Sequence, residues 1–166
     1  MRAALIVVSG LLMSLPAAAQ AGNWTGEGSV SASASTGNTE TTNFGLGVDL
    51  GYETGRWIYG FNASADYGET DGVETENRFL IGGKADLQLR DRLFAFGEGS
   101  YERNEFSGFE SRIFAGAGLG YQIFDSDTLA WGVRTGPGIK IDEVRPVIVN
   151  GVVTTPGETE ESFSFL

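Results

Sequence analysis

Neither His nor Cys occurs in this 166-residue chain, so the side chains able to do chemistry are mainly carboxylates, 22 Asp plus Glu against 11 Lys plus Arg. Without His, the usual general base and nucleophile activator near neutral pH is missing. Carboxylates such as Asp49, Asp66 and Asp86 could form an acid–base pair, but charge packing is the commoner use of such residues. Glu69, Asp71, Glu74 and Glu76 crowd one polar stretch that would suit Ca²⁺. Their spacing lacks the D-x-D-x-D-G loop, which favours a solvated acidic loop. GAGLG at 116–120 does not match G-x-G-x-x-G and lies inside an alternating segment instead of opening a helix. A net charge of −11 argues against nucleic acid as a partner, because phosphates demand basic patches. The residue types therefore imply no catalytic, cofactor-binding or metal-ligating set.

The elements that position these charges are strands. Successive side chains of a strand point to opposite faces, so odd and even positions can be read apart. Over 43–53, Phe44, Leu46, Val48, Leu50 and Tyr52 oppose Asn43, Gly45, Gly47, Asp49 and Gly51. Over 57–66, Trp57, Tyr59, Phe61, Ala63 and Ala65 oppose Gly60, Asn62, Ser64 and Asp66. Segments 76–89, 111–124 and 128–142 repeat the pattern, with Leu80 and Phe114 the two apolar residues on the polar side. Segment 24–35 is weaker, its apolar face reduced to Val30, Ala32 and Ala34. In 93–104 the two phases compete, and the reading adopted places Phe94 and Phe96 inside with Glu98 and Glu102.

The polar rows then gather Asp49, Asp66, Arg78, Lys84, Asp86, Glu98, Glu102, Arg112, Arg134, Lys140 and Asp142 on one side. In a narrow, partly dry lumen, charges of both signs are expected to pair, since an unpaired buried charge is costly. Glycines beside them leave room for Arg and Lys stems.

These segments exceed the usual strand length of about 5–6 residues. ETGR (53–56), RDR (90–92) and DSD (125–127) are tight connections, and GNTE (37–40) is also short. By contrast, 67–76, 104–110 and 143–161 read as longer, polar or mixed loops. Tight turns at one end, longer loops at the other and no helical periodicity describe an all-β, antiparallel up-and-down transmembrane β-barrel of the bacterial outer membrane, with at least eight strands. Tyr52, Trp57, Tyr59, Tyr121, Phe124 and Trp131 fall near the tight turns, and Tyr67, Tyr101, Phe106 and Phe109 toward the loops, as two interfacial girdles would require. The competing arrangement is a soluble, lipocalin-like barrel in which the charges face water.

The ends of the chain agree with export. Met1 and Arg2 make a positive head, 3–15 is an apolar run, and Pro16 leads into AAAQAG. That is a signal peptide over 1–21, cleaved after Ala19 or Ala21, followed by a barrel over 22–166. The run is too short for a transmembrane helix. With no Cys, no disulfide framework holds the exported chain.

Residues 35–68 and 100–138, above all TGNTET, YERNEFSGF, GAGLGY and TGPG, resemble the salt-induced outer-membrane protein family, the YdiY-like group known as domain of unknown function 481. The resemblance implies an outer-membrane barrel that meets lipid and lipopolysaccharide after passing the export and barrel-assembly machineries. It brings no catalytic residue and no cofactor. Members of the family usually continue well beyond this length, and ESFSFL reads as an incomplete eighth strand, so a barrel of ten or twelve strands cut short is expected, with a complete eight-stranded one as the alternative. Two functions follow. The first is a non-enzymatic barrel, structural or with a narrow lumen, linked through the resemblance to salt or osmotic tolerance. The second is a barrel whose acidic loops bind cations, lipopolysaccharide or a partner.

Overall fold

In the computed structural model the described residues are 5–8, 22–126, 129–149 and 152–166, and among them every regular element is a strand. In chain order these are β1 (Leu5–Val8), β2 (Asn23–Ser35), β3 (Thr41–Thr54), β4 (Trp57–Thr70), β5 (Val73–Gln88), β6 (Leu93–Asn104), β7 (Phe109–Ser126), β8 (Leu129–Thr135), β9 (Pro137–Val144), β10 (Val147–Val149), β11 (Val152–Thr155) and β12 (Glu158–Phe165). Ten of them form one antiparallel sheet in the order β1-β2-β3-β4-β5-β6-β7-β9-β12, with β8 also on β7, while β10 and β11 make a separate hairpin. The fold is thus all-β with up-and-down topology. The proposed leader over 1–21, with its cleavage after Ala19 or Ala21, lies outside the described residues apart from Leu5–Val8, which pair with β2 from Leu5 opposite Ser35 to Val8 opposite Ala32.

The register carries the alternation across the whole sheet. Trp24, Tyr52 and Tyr59 stand side by side, as do Phe44 with Tyr67 and Leu50 with Phe61. Ile81, Tyr101, Ile113 and Ile141 form another row on that face. On the opposite face, Leu80, Glu102, Arg112 and Asp142 are consecutive neighbours. Leu80 and Phe114 share this polar face, which explains why each breaks the apolar row of its strand.

The polar face is concave. Arg134 on β8 hydrogen-bonds Asp86 on β5, although β6 and β7 intervene in the sheet. Such a bond requires the sheet to curl around its polar side. Among the described hydrophobic residues only Phe94, 9% exposed, and Phe96, 5% exposed, are buried, and both sit on the concave face with Glu98. The convex face is bare, with Trp131 and Phe124 more than half exposed.

Three connections differ from expectation. The stretch 67–76 is not a loop: β4 continues to Thr70, β5 starts at Val73, and only Asp71 and Gly72 turn the chain. Both have positive φ, 52° and 76°, the left-handed pair that matches a two-residue hairpin to the twist of its strands. Likewise the connection in 104–110 shrinks to the residues between Asn104 and Phe109. The expected single strand over 128–142 is divided at Gly136. There β8 leaves β7 and β9 rejoins it farther along, with Leu119 opposite Thr135 and Gly116 opposite Gly138. A Cβ on Gly118 would meet Thr135 O and one on Gly136 would meet Ala117 O, so two glycines let the backbones touch where the strand breaks. Within 143–161 the chain folds the β10–β11 hairpin and then enters β12 at Glu158.

Candidate functional site

The concave face holds the charged residues singled out from the sequence. On β7 and β9, Arg112 makes a two-point bond with Asp142, Nε to Oδ1 at 2.7 Å and Nη2 to Oδ2 at 3.0 Å. Lys140 Nζ approaches the same carboxylate at 2.9 Å. Asp142, only 6% exposed, thus shares one carboxylate between two cations. A paired, planar guanidinium fork of this kind is the strong form of ionic hydrogen bond. One step along the sheet, Arg78 Nε donates to Glu102 at 2.7 Å, with Asp66 at 4.0 Å on its other side.

A second group forms nearer the tight turns. Arg134 donates to Asp86 Oδ2 at 2.9 Å and lies 3.9 Å from Glu98. Its guanidinium also sits 5.1 Å and 5.3 Å from the ring centroids of Phe94 and Phe96. The break at Gly136 follows two residues after Arg134, so the end of β8 and its guanidinium are positioned by the same glycine contact. Phe94 and Phe96 then supply apolar floor and π-faces beneath the charge.

Asp49 and Lys84 share the concave face but stay outside these groups, since neither lies within an ion-pair distance of an opposite charge among the described residues. The Lys84 stem instead lies over Gly60, where a Cβ would come within 2.6 Å of Cε. Two acids absent from the sequence-derived set also belong here. Glu27 stands directly opposite Asp49, and Glu53 opposite Ile58 and Asn23. Odd–even parity points to Glu27; Glu53 was hidden because ETGR reads as a turn.

Beside β2–β4 the concave face is hollow. A cavity of about 700 Å³ reaches from Glu27 past Gly60 and Lys84 to Glu53, and a second of about 350 Å³ continues from Asp49 and Asn62 to Ser31 and Asp66. Glu69, Asp71, Glu74 and Glu76 do not converge on a common point: Asp71 accepts the Glu40 N–H at 2.7 Å, Glu69 accepts the Tyr67 hydroxyl at 3.1 Å, and no group of three or more acids arranged to hold a metal exists among the described residues.

The aromatic residues line the convex face. Trp24 packs at a tilt against Tyr52, 4.5 Å between centroids, while Tyr52 stacks near Tyr59 at 6.3 Å and Tyr59 near Trp57 at 5.6 Å, giving a continuous row at the tight-turn end. Phe124 and Trp131, 6.2 Å apart, continue it beside Tyr121, while Tyr67 and Tyr101 stand exposed toward the other end. Trp24 joins this row although the weak 24–35 segment gave no reason to include it. Phe109 departs from the expected girdle: a bulge between Phe109 and Ser111 turns its ring under Arg112, whose guanidinium carbon is 3.9 Å from the centroid.

An up-and-down antiparallel sheet, curled around ion pairs and exposed on its apolar side, defines a β-barrel-like class of protein. Over residues 28–165 the sequence matches the family described as "Protein of unknown function, DUF481", and the chain belongs to that family. No curated protein and no solved structure matches it.

Proposed function

We propose that the chain is a non-enzymatic β-barrel of the bacterial outer membrane, exported by way of its N-terminal leader, with a narrow lumen formed by the concave face. The observation that carries this reading is the convex face. Phe44, Leu46, Leu50, Phe61, Phe79, Leu119 and Val133 are all exposed on it, with no second layer of structure against them among the described residues. An apolar surface of this extent, bounded by aromatic rows, suits hydrocarbon flanked by two headgroup layers. With the leader and its strand β1 removed, β2 and β12 become the edges of the sheet, and they run in opposite directions, the sense needed to join them without leaving unpaired backbone in lipid. Outer-membrane lipid and lipopolysaccharide are then its surroundings, and the barrel-assembly machinery inserts it. A contribution to salt or osmotic tolerance is the role suggested by the family resemblance.

Gel mobility in detergent with and without boiling, beside far-ultraviolet circular dichroism, tests the barrel. The expected result is a boiling-sensitive band with a β spectrum. A chain that is soluble and folded without detergent would overturn the reading in favour of a lipocalin-like barrel with its charged face outward. For the salt role, a deletion strain that grows at raised salt like its parent would remove that part alone.

A further inference from the structure

The two ends of the sheet match each other face for face. Strand β12 pairs with β9 on one side only, and β2 pairs with β3 on one side and with the four residues of β1 on the other. On the concave face β2 presents Ser29, Ser31 and Ser33, and β12 presents Ser162 and Ser164. On the convex face β12 carries Phe163 and Phe165, 86% and 89% exposed, the two barest large hydrophobic side chains among the described residues. The convex row of β2 is small there, with Gly26, Gly28 and Ala32, which leaves room for two rings.

What holds the outer edge of β2 is β1. Leu5–Val8 lie antiparallel to β2, from Leu5 opposite Ser35 to Val8 opposite Ala32. The alternating directions of the sheet make β12 antiparallel to β2 as well, and β12 sets out from the same end, where Glu158 stands opposite Val144. Both strands therefore need the same backbone groups of β2 in the same sense. A strand has one outward row of N–H and C=O groups, so it accepts one partner there. Place favours β1: only residues 9–22 separate it from β2, whereas β12 follows every other strand in the chain. The nearer segment pairs first, because the entropy cost of closing a loop grows with its length.

We propose that β1 is a built-in stop on barrel closure: while the leader is attached it occupies the β2 edge, and its removal after Ala19 or Ala21 frees that edge for β12. The inference rests on the membrane-barrel reading above and adds an order of events to it, cleavage before closure. Four residues are enough to block an edge while the tether keeps them close, and too few to stay once it is cut.

The test folds two chains from denaturant into detergent micelles, the full precursor and the chain from Gly22. Neither has a Cys, so Ser162→Cys combined in turn with Ser29→Cys, Ser31→Cys or Ser33→Cys reports the seam through a short bismaleimide. The expected result is a boiling-sensitive band and a β2–β12 cross-link in the shorter chain, both formed several-fold more slowly in the precursor. The precursor variant Ile6→Pro, Val7→Pro keeps the leader but weakens its pairing. Successive residues of a strand aim their N–H groups alternately at a neighbour, so one of the two prolines removes a bond to β2. This variant should recover the rate of the shorter chain. A precursor that closes as fast as the shorter chain overturns the stop, as does a proline variant as slow as the precursor, or a band in the shorter chain with none of the cross-links; each leaves the barrel standing. Absence of the band in the shorter chain overturns the barrel, and the stop with it.

Discussion

Strands β5–β9 supply the cation of every ion pair between strands, whereas β2 and β3 carry Glu27, Asp49 and Glu53 with no base within 4 Å among the described residues. Both regions obey the same odd–even alternation, and both place glycines between their polar side chains. What differs is how the glycines are used. On β7–β9 they bring backbone against backbone and guanidinium against ring. On β2–β4 they lie under short or flexible side chains of the neighbouring strand, Ser31 over Gly45, Ser29 over Gly47 and Lys84 over Gly60. Alternation therefore decides which face is polar, while the identity of the neighbours decides whether that face is filled or hollow.

The sharpest way to break this comparison is to place the same methyl group on both sides. At Gly136 a Cβ would meet Ala117 O, with Gly118 Cα at 2.6 Å, and main-chain atoms cannot rotate away. Gly136→Ala is expected to cost about 3 kcal/mol or more, the upper part of the overpacking range, and to deplete the boiling-sensitive band. At Gly47 the neighbour is Ser29 Oγ at 2.6 Å, a hydroxyl that can turn aside. Gly47→Ala should change stability by no more than about 0.5 kcal/mol. Denaturant unfolding in detergent, followed by tryptophan fluorescence, measures both; equal effects would mean that the filled and hollow sides are not distinct.

Next in size comes Phe96→Ala. The ring is buried beneath Arg134, and its removal opens a cavity under a charge, for an expected loss of about 3 kcal/mol. Arg112→Met follows at about 2 kcal/mol, below the range for fully buried pairs because the Arg112 side chain is 33% exposed. Adding Asp142→Asn should recover part of that loss, since the buried carboxylate, left with Lys140 as its one cation, then disappears. If the double variant is as unstable as the single one, the bond contributes through packing and not through charge.

How much of this was legible beforehand follows from the range of each interaction. The faces were readable because period-two alternation is local, and the competing phases of 93–104 resolve as read, with Phe94 and Phe96 buried. The hairpin at Asp71 and Gly72 was hidden by its surroundings. Strand ends near Thr70 and Val73 carry acids and threonines on both faces, so alternation fades and the stretch reads as loop although its Asp-Gly turn signals otherwise. The break at Gly136 depends on Gly118 in the neighbouring strand. No local pattern could tell that TGPG would seat against GAGLG. Arg134 finding Asp86 across β6 and β7 depends on curvature, which is a property of the whole sheet.

The smallest predicted effect carries the opposite sign. Glu27 and Asp49 face each other across β2 and β3, and a directly opposed like-charge pair destabilises by a few tenths of a kcal/mol or more. Glu27→Gln keeps the shape and the hydrogen-bonding ends of the side chain, so it should raise stability, by about 0.5 kcal/mol at low ionic strength. Because both carboxylates are exposed to the hollow, salt reaches them, and at about 1 M KCl, where the screening length is roughly 3 Å, the gain should vanish. Arg112→Met provides the contrast, since Asp142 is shielded from solvent and its loss should change less with salt. A Glu27→Gln variant that is destabilised at every salt concentration would show that Glu27 is held by a partner, and the two walls would then differ in residue composition but not in electrostatics.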